Sequence, residues 1–365
     1  MKLAVLGGGQ LGRMLGLAGI PLGVEFRFLD PSGTAGAAAV GELVLGALSD
    51  RTAVAAVARG CDAITYEWEG VPATALADVV ATHEVAPGPR PLAISQDRVA
   101  EKSLCSDLGL GTAAWRTADT LGELVSAVRE LGVPVIAKTR RGGYDGKGQA
   151  TITVPDLAEA AWNALGAAGD LIVEETVAFR RELSVLACRG RDGASVVWPV
   201  PANRHAGGIL RESRVPAADA ATQAAAEAIA RRMLDALDYV GVICIELFDT
   251  GEVLLVNEFA PRVHNSGHWT IEGATTSQFE NHVRAVLGLP LGAAELRDGP
   301  VAMLNCVGRL PDLATILSIP GAHFHDYGKA SRTGRKVGHV TVVAPDEETL
   351  EVRLAAARAA IDDDG

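Results

Sequence analysis

The sequence lacks the long apolar run that a membrane-spanning helix needs. It contains no stretch of about 18 uncharged apolar residues. It also does not open on a basic segment followed by a long apolar core, so we expect neither a leader peptide nor an anchor, and a cytoplasmic location. The mean hydropathy of +0.20 comes largely from alanine and is typical of a helix-rich soluble protein.

Positive charge is scarce as well. Lys and Arg number 33 against 45 Asp and Glu, which gives a formal net charge of −12. A broad surface for nucleic acid or for an anionic membrane is therefore not expected. A small anionic substrate remains compatible with this charge, but its site has to be a local cluster of basic side chains.

The few cysteines exclude two further classes. They lie far apart in the sequence and their number, five, is odd. This pattern argues against a disulfide framework and against a cysteine-based zinc site, and it fits a reducing compartment. The cysteines are Cys61, Cys105, Cys188, Cys244 and Cys306.

The length of 365 residues, of which 48 % are hydrophobic, favours two or three domains with buried cores. The segments "KLAVLG", "VEFRFLD" and "DAITYEWE" alternate with alanine-rich stretches, which predicts parallel strands with helices between them. A cluster of proline and glycine at 86–91 predicts a boundary. Beyond it we predict a helix in "SQDRVAEKSLCSDLG", strands in "VPVIAKT" and "QATITV", a helix at about 217–237, and a β-rich tail from about residue 300.

The first predicted strand runs into a glycine turn. Gly7, Gly9 and Gly12 match G-x-G-x-x-G, and Asp30 closes the second strand about 20 residues on. This is the pattern of a dinucleotide-binding unit, in which the acid binds a ribose. A nicotinamide or flavin enzyme is therefore one hypothesis.

A second glycine-rich segment, "KTRRGGYDGKGQ", lies between two predicted strands. Its glycines would let backbone N–H groups face phosphate oxygens, and Lys138 and Lys147 add positive charge. It is not a Walker A loop, because no Gly-Lys-Ser/Thr opens a helix. The alternative is a hairpin tip with surface lysines.

Two glutamates, Glu246 and Glu258, flank a predicted hairpin turn at 249–251. With that turn both acids lie on one face, whereas a turn one residue longer or shorter would separate them. Two unpaired carboxylates on an apolar hairpin are costly, and Mg²⁺ prefers such oxygens, with Asn257 adding another. The alternative is a pair of salt bridges to surface cations. The predicted register pairs Phe248 with Glu252, Glu246 with Leu254, and Val242 with Glu258.

The segment "EFAPRVHNSGHWT" concentrates polar side chains after a strand end, where substrates are commonly bound. Arg262 offers a planar fork for a carboxylate or phosphate group, so we favour an anion pocket. His264 and His268 have the spacing of zinc ligands on a helix. However, Asn-Ser-Gly between them disfavours a helix, and no H-E-x-x-H acid is present.

The segment "GKASRTGRKVGH", residues 328–339, is the densest basic stretch in this acidic chain. It is a candidate phosphate clamp. The alternative is a solvated basic loop.

Five segments, in the same order, resemble the ATP-grasp superfamily and within it the 5-(carboxyamino)imidazole ribonucleotide synthetases, which use bicarbonate and ATP in de novo purine synthesis. "RVHNSGHWT" is the most specific of them. The formate-dependent glycinamide ribonucleotide transformylases share the layout but differ in that stretch, and they are the alternative. The segments are "GGGQLGRML", "YEWEGVP", "GGYDGKGQ", "VNEFAPRVHNSGHWT" and "GRKVGH".

The resemblance implies an α/β and α+β fold in three parts. A doubly wound domain would span residues 1–95, an ATP-grasp domain 96–295 with a mobile lid at about 112–177, and a small β-rich domain 296–365. ATP would lie between the two halves of the grasp. The first glycine turn would then approach the ribonucleotide with its N–H groups, and a homodimer is implied.

The resemblance also implies a role for individual residues. Mg²⁺, or Mn²⁺, would bind Glu246 and Glu258. The ATP contacts would be Arg98, Lys138, Gly143, Tyr144, Asp145, Gly146, Lys147, Gly148, Gln149, Glu174, Glu175, Thr176, Val177, Glu182, His205, Asn257 and Glu258. The contacts to the ribonucleotide would be Gln10, Leu11, Glu67, Tyr144, Asp145, Ser266, Lys329, Arg335 and Lys336. The catalytic residues would be Lys138, Arg262, His264 and Asn265.

The implied reaction has two steps. Bicarbonate attacks the γ-phosphate to give carboxyphosphate and ADP, and the amine of 5-aminoimidazole ribonucleotide then takes up the carboxyl group. Arg262 would stabilise the developing charge, and His264 would orient bicarbonate or shuttle a proton. Besides the transformylase and the nicotinamide enzyme, a nucleotide-binding module without turnover is a further alternative.

Overall fold

The computed structural model describes residues 1–143, 147–167 and 169–362. These residues form three β-sheets with helices packed against them, in agreement with the predicted mixture of α/β and α+β structure. Within the described ranges, no helix has both the length and the apolar character needed to cross a membrane.

The N-terminal sheet is parallel, as predicted. Its elements are β1 (Lys2–Leu6), α1 (Gln10–Gly19), β2 (Glu25–Asp30), β3 (Glu42–Leu45), α2 (Arg51–Ala58) and β4 (Ala63–Tyr66). The strand order is β3-β2-β1-β4, with β1 parallel to both neighbours. The prediction missed β3, because this short edge strand is largely exposed and lacks an alternation of apolar and polar residues.

Two helices lead from this sheet into an antiparallel sheet of four strands in the order β5-β8-β6-β7. Asp97 caps the second helix by accepting the N–H of Val99 at 3.0 Å. The same carboxylate binds Arg140 at 2.9 Å, which fastens the helix to the end of β6. The elements are α3 (Pro89–Ser95), α4 (Arg98–Asp107), β5 (Trp115–Ala118), α5 (Leu121–Leu131), β6 (Val135–Thr139), β7 (Gln149–Ile152), α6 (Ala158–Ala164) and β8 (Leu171–Glu175).

The central part contains the predicted long helix and the predicted hairpin. The hairpin consists of β13 and β14, and β13 also pairs with β9. The elements are β9 (Arg181–Arg189), β10 (Ser195–Val197), β11 (Ala202–Ala206), β12 (Ile209–Val215), α7 (Ala220–Ala236), β13 (Gly241–Asp249), β14 (Leu254–Ala260), α8 (Thr270–Gly273) and α9 (Gln278–Val286).

The C-terminal strands extend the central sheet. The sheet has nine strands, in the order β14-β13-β9-β11-β12-β15-β17-β16 with β10 beside β9. Because the sheet continues from β12 into β15, the boundary between the ATP-grasp domain and the C-terminal domain at about residue 296 stays a prediction. The elements are β15 (Val301–Val307), α10 (Leu313–Leu317), β16 (Ala322–Asp326), β17 (Lys336–Val343) and α11 (Glu347–Asp362).

One apolar core joins the N-terminal sheet to the central part. Helix α1 packs on α9, and Leu15 and Phe28 share this core with Trp269 and Phe279. All four side chains are buried to 1 % exposure or less, so their burial holds the two parts together. The glycine turn before α1 is thereby fixed close to the segment that follows β14.

Candidate active site

The predicted register of the β13–β14 hairpin is wrong, and the observed one sets Glu246 directly opposite Glu258. The turn spans residues 250–253 and is one residue longer than predicted. A regular ladder would then place Asn257 opposite Glu246 and send Glu258 to the other face. A β-bulge at Asn257 shifts the register by one residue, so the two acids share a face. The observed pairs are Asp249 with Leu254, Phe248 with Leu255, Leu247 with Val256, and Glu246 with Glu258.

Side chains in the turn select its length. The carboxylate of Asp249 accepts the N–H of Gly251 at 2.9 Å, and the hydroxyl of Thr250 accepts the N–H of Val253 at 3.1 Å. Gly251 has a φ of +93°, which glycine adopts without strain. These local bonds favour the four-residue turn over the three-residue turn that the sequence suggested.

Glu246 sits in an environment that disfavours its charge. Burial and, next, the negative charge of Glu258 raise the pKa of Glu246 to about 7. The ring of His264 lies near it, with Nε2 3.4 Å from Oε1 of Glu246. Two facing carboxylates in such surroundings are stabilised by a bound cation, so the pair fits Mg²⁺.

Helix α4 holds the bulged strand at three consecutive residues. Arg98 donates to the carboxylate of Glu258 at 3.2 Å, and the ammonium of Lys102 donates to the carbonyl of Asn257 at 2.9 Å. The carboxylate of Glu101 accepts the next backbone N–H along β14. Of these three side chains only Arg98 was predicted from the sequence, although the helical spacing of 98, 101 and 102 was an available signal.

Lys138 and Glu174 form a buried ion pair between neighbouring strands. Nζ of Lys138 on β6 lies 2.7 Å from Oε2 of Glu174 on β8, and Nζ of Lys102 lies 3.8 Å from the other oxygen. Burial alone would raise the pKa of Glu174, but the charges of Lys138 and Lys102 lower it below its usual value. The side chain of Glu174 is therefore directed at the lysines.

The residues after Glu174 lie where β8, an interior strand of the antiparallel sheet, ends. The N–H of Glu175 donates to the carbonyl of Ala114 at 2.9 Å, and its carboxylate accepts the N–H of Ala114 at 2.9 Å. Thr176 donates to the carbonyl of Pro134 at 3.3 Å, and Val177 follows in the segment that leads to β9. These residues thus join the antiparallel sheet to the central one, at the end of the lid that the resemblance implies at about 112–177.

The glycine-rich segment is described only in part. Tyr144, Asp145 and Gly146 lie outside the described residues. The carbonyl of Gly148 accepts the N–H of Thr139 at 2.9 Å, and Gln149 begins β7 opposite Lys138. A Cβ on Gly143 would approach the carbonyl of Lys147 to 2.6 Å, so this close approach requires glycine.

Glu182 and His205 form a hydrogen-bonded pair on neighbouring strands. Burial by itself lowers the pKa of His205, but the bond to Glu182 and the charge of Glu246 raise it above its usual value. The positive charge of Lys336, at the start of β17, acts on both His205 and Glu246. The pair is therefore adjacent to the two facing carboxylates, and Lys336 belongs to the same site.

The ring of His264 is oriented by buried hydroxyls. Its Nδ1 accepts the N–H of Ser266 at 3.3 Å and lies 2.9 Å from the hydroxyl of Ser266. That hydroxyl is 2.8 Å from Ser184, to which Asn203 donates at 3.0 Å. Since Nδ1 accepts, we assign the ring proton to Nε2, which faces Glu246. Ser266 is fully buried, so it acts on the site through His264.

Arg262 is buried and paired with Glu69 at 2.9 Å. Glu69 comes from the N-terminal loop after β4, so this ion pair joins the two parts of the molecule. The positive charge of Arg262, after burial, contributes to lowering the pKa of His264 well below its usual value. The Nε of Arg262 has no hydrogen-bond partner among the described residues. Glu69 was not predicted from the sequence, because it carries no signal apart from its position in "YEWEGVP".

Asn265 and His268 point to different partners from those of His264. Asn265 and Asn305 exchange two side-chain hydrogen bonds at 3.0 and 2.7 Å. His268 is fully buried beside Phe279 and His339. The segment between the two histidines forms a single 3₁₀ turn, so they do not share the helical face that a zinc pair would need.

The first glycine turn is built around two acids. Asp30 accepts the N–H of Gly8 at 2.8 Å, and Glu67 accepts the N–H of Gly9 at 2.8 Å. Burial raises the pKa of Glu67. Because Asp30 is engaged in holding the turn, it does not present the carboxylate that a dinucleotide ribose requires.

The basic segment before β17 lies next to this turn. Lys329 donates a hydrogen bond to the side chain of Gln10, the first residue of α1. Leu11 is only 7 % exposed and packs in the core, so its side chain is not at the surface of the site. Arg335 donates to the carbonyl of Ala330 at 3.3 Å. The structure therefore brings the two ends of the chain together.

Three family models match consecutive parts of the chain. They describe the ribonucleotide synthetase preATP-grasp domain at residues 1–96, the ATP-grasp domain at 103–279, and the phosphoribosylaminoimidazole carboxylase C-terminal domain at 301–353. Their order is the order of the three parts that the motifs implied.

Relatives match over the full length. The chain is 45 % identical over 362 residues to N5-carboxyaminoimidazole ribonucleotide synthase of Pseudomonas aeruginosa, covering 99 % of this chain and 100 % of that protein. The crystal structure of the synthetase from Thermus thermophilus is 49 % identical, with a TM-score of 0.95 and coverage of 99 % and 98 %. The Aspergillus clavatus synthase in complex with ADP and 5-aminoimidazole ribonucleotide is 32 % identical, with a TM-score of 0.92 and coverage of 99 % and 98 %.

These matches confirm the resemblance drawn from the motifs and favour it over the transformylase and nicotinamide alternatives. The chain belongs to the N5-carboxyaminoimidazole ribonucleotide synthase family of ATP-dependent ligases with the ATP-grasp fold.

Proposed function

We propose that this chain carboxylates 5-aminoimidazole ribonucleotide with bicarbonate and ATP, releasing ADP and phosphate. The observation that carries the proposal is the pairing of Glu246 with Glu258 beside His264 and close to Arg262. Lys102 of α4 links the strand of these acids, through Glu174, to Lys138 of the lid. A cation site for ATP and an anion pocket thus adjoin each other. Phosphoryl transfer to bicarbonate needs both.

The ATP half of the site neutralises and positions phosphate. Glu246 and Glu258 would hold Mg²⁺, with Mn²⁺ as a substitute and Asn257 beside them. Among the described residues, no three His, Cys, Asp or Glu side chains are grouped to hold an ion, so phosphate oxygens and water would have to supply the other ligands. When bound, the ion would neutralise negative charge on the phosphates. Arg98 and Lys138 bind the phosphates directly.

The adenosine would lie along the segment from Glu174 to Val177, with Glu182 at the ribose and His205 next to it. The hydrogen bond between Glu182 and His205 supports this assignment, since it fixes the carboxylate beside the facing acids. The glycine-rich segment from Gly143 to Gln149, with Lys147, would cover the phosphates and exclude water from the reactive intermediate.

In the first step an oxygen of bicarbonate attacks the γ-phosphorus and the bond to ADP breaks. In the second, the exocyclic amine attacks the carboxyl carbon, phosphate leaves and the amine loses a proton. Arg262 stabilises the negative charge in both steps. His264, whose Nε2 lies 3.4 Å from Oε1 of Glu246, would orient bicarbonate or shuttle a proton. Asn265 is held in place beside it by the two hydrogen bonds to the side chain of Asn305.

The ribonucleotide would lie between the first glycine turn and the basic segment at residues 328–339. Lys329, Arg335 and Lys336 would bind its phosphate, and Gln10 and Glu67 would close the other side. The bond between Lys329 and Gln10 supports this placement. Leu11 would contribute through its backbone, and Tyr144 and Asp145 would contribute from the glycine-rich segment. The expected homodimer and cytoplasmic location stay predictions, testable by sedimentation and by cell fractionation.

The reaction class is tested by measuring ADP release from Mg-ATP with each acceptor pair. We expect strong stimulation when 5-aminoimidazole ribonucleotide is added to bicarbonate, and none when glycinamide ribonucleotide is added to formate. Stimulation by the formate pair alone would replace this proposal with the transformylase. If neither pair stimulated ADP release, the chain would use ATP with another acceptor.

Glu69→Gln is expected to lower kcat about tenfold and to leave the KM for ATP unchanged. The substitution keeps the shape of the side chain but removes the charge that holds the Arg262 guanidinium. A displacement of about an ångström in a group that positions reactants lowers the reaction rate. Steady-state kinetics with each substrate varied in turn would measure both constants.

The matched control is Glu84→Gln, since Glu84 also pairs with an arginine of the central part, Arg191, at 2.9 Å but is 70 % exposed. This control should behave as the unchanged protein. Equal kcat for both variants would show that Glu69 does not act on the reaction.

A further inference from the structure

We infer that Lys102 is a positioning residue that couples the two halves of the ATP site. Its ammonium donates a hydrogen bond to the backbone carbonyl at the β-bulge of the strand that carries Glu258. The same ammonium lies within ion-pair distance of Glu174, the lid carboxylate that binds Lys138. The inference rests on the proposed function for the role of Glu246, Glu258 and Lys138.

The first contact of Lys102 stabilises the bulge. Asn257 is the extra residue of β14, without a partner of its own in β13. Its carbonyl accepts a hydrogen bond from Nζ of Lys102 at 2.9 Å. The bond is partly buried, and a carbonyl that is withdrawn from water without gaining a partner is costly, so this bond favours the bulged register. That register is what sets Glu258 opposite Glu246.

The second contact reaches the lid. Nζ of Lys102 lies 3.8 Å from Oε1 of Glu174, whose Oε2 lies 2.7 Å from Nζ of Lys138. The side chains of Lys102 and Glu174 are 3 % and 6 % exposed, so water screens these charges little. Two lysines on one carboxylate leave an excess positive charge, which suits a polyphosphate placed beside them.

The neighbours of Lys102 on α4 make different contacts. Glu101 binds the backbone of Phe259, on β14, and Arg98 binds Glu258 on β14 and the carbonyl of Thr139 on β6 through its guanidinium. Arg98, with its side chain 20 % exposed, therefore spans the halves nearer to solvent. Lys102, 3 % exposed, joins the bulge to the charged side chains of the lid in the interior. Residues that contact a metal ligand without contacting the metal fix the orientation of that ligand, and the affinity for the metal depends on them.

The test is the affinity of the chain for Mn²⁺ in the presence of ADP, followed by the paramagnetic resonance signal of free Mn²⁺. Lys102→Met should weaken Mn²⁺ binding about tenfold to a hundredfold, as for other residues that orient a metal ligand. The control is Lys2→Met, which removes a surface lysine paired with Glu25 at 3.1 Å and should leave the affinity unchanged.

Glu174→Gln keeps the test decisive if Lys102→Met fails to fold. Glu174 lies on the lid, and its ion pairs among the described residues are with Lys138 and Lys102. The substitution is therefore on the lid and not on the strands that carry Glu246 and Glu258. If Lys102 couples the lid to those strands, Glu174→Gln should still weaken Mn²⁺ binding. In the double variant the loss should be smaller than the product of the two single losses, because both act through one contact.

Two results would overturn the inference. One is unchanged Mn²⁺ affinity in folded Lys102→Met or in Glu174→Gln. The other is a lower melting temperature with no change in Mn²⁺ affinity, which is the result expected if Lys102 only stabilises the fold. Because the measurement needs no carboxylation, a chain that follows the predicted Mn²⁺ pattern but does not carboxylate 5-aminoimidazole ribonucleotide would contradict the proposed function alone.

Discussion

Glu258→Gln is expected to reduce Mg²⁺-dependent turnover about a thousandfold while leaving the fold intact. The substitution removes one of the two facing carboxylates, and with it the charge that a cation between ATP and the protein requires. The stabilisation a metal ion gives to a phosphoryl transition state is several kcal/mol, and about 1.4 kcal/mol corresponds to a factor of ten in rate. ADP release at saturating Mg-ATP measures the effect.

Glu252→Gln provides the control on the same hairpin. Glu252 is exposed in the turn between β13 and β14, so its charge is far less important for a bound ion. Its turnover should equal that of the unchanged chain, and circular dichroism should show both variants folded. If Glu258→Gln retained normal turnover, Glu258 would not be a metal ligand.

Arg262→Lys is expected to lower kcat about a hundredfold without changing the affinity for ATP. Lysine keeps the positive charge but loses the planar fork that can bind an oxyanion through two hydrogen bonds. Losing one such donor at a developing oxyanion costs about a hundredfold to a thousandfold. Single-turnover ADP formation and equilibrium binding of ATP separate the two constants.

A double variant guards against a loss of stability. Removing the charge of Arg262 alone would leave Glu69 without its partner, whereas Arg262→Met combined with Glu69→Gln removes both charges. The double variant should bind ATP normally and should not form the carboxylated product. Product formation at the normal rate in either variant would exclude Arg262 from catalysis.

The strand and helix positions near the site were largely predictable, since they follow from hydrophobic periodicity and from glycine and proline positions. Strand β1, the hairpin and the long helix α7 lie close to their predicted positions. Helix α11 was not predicted, although Leu350, Leu354 and Ala357 follow a helical spacing and are buried. The prediction of a β-rich tail overlooked that periodicity.

The register of the hairpin was not predictable in the same way. The facing acids depend on a turn selected by Asp249 and Thr250 and on a bulge at Asn257. The two deviations offset each other, so the prediction of a shared face was correct while its register was wrong. A bulge carries no sequence signal here, because its carbonyl is bound by Lys102 from a distant helix.

Lys102 and Glu69 were missed for a related reason. Each acts through a partner distant in sequence, and only the folded chain shows which partner that is. The glycine turn shows the opposite case, in which a clear motif suggests the wrong ligand. There the deciding contact is the bond from the N–H of Gly8 to Asp30, which only the folded chain displays.

The central claim, that bicarbonate is phosphorylated in this site, is tested most directly by oxygen transfer. The chain is incubated briefly with Mg-ATP, 5-aminoimidazole ribonucleotide and freshly dissolved bicarbonate labelled with ¹⁸O, and the phosphate released is examined by mass spectrometry. We predict one ¹⁸O atom in each phosphate, because the attacking oxygen stays on phosphorus when the carbon–oxygen bond breaks. Phosphate without ¹⁸O would show that water attacks ATP and would contradict the account.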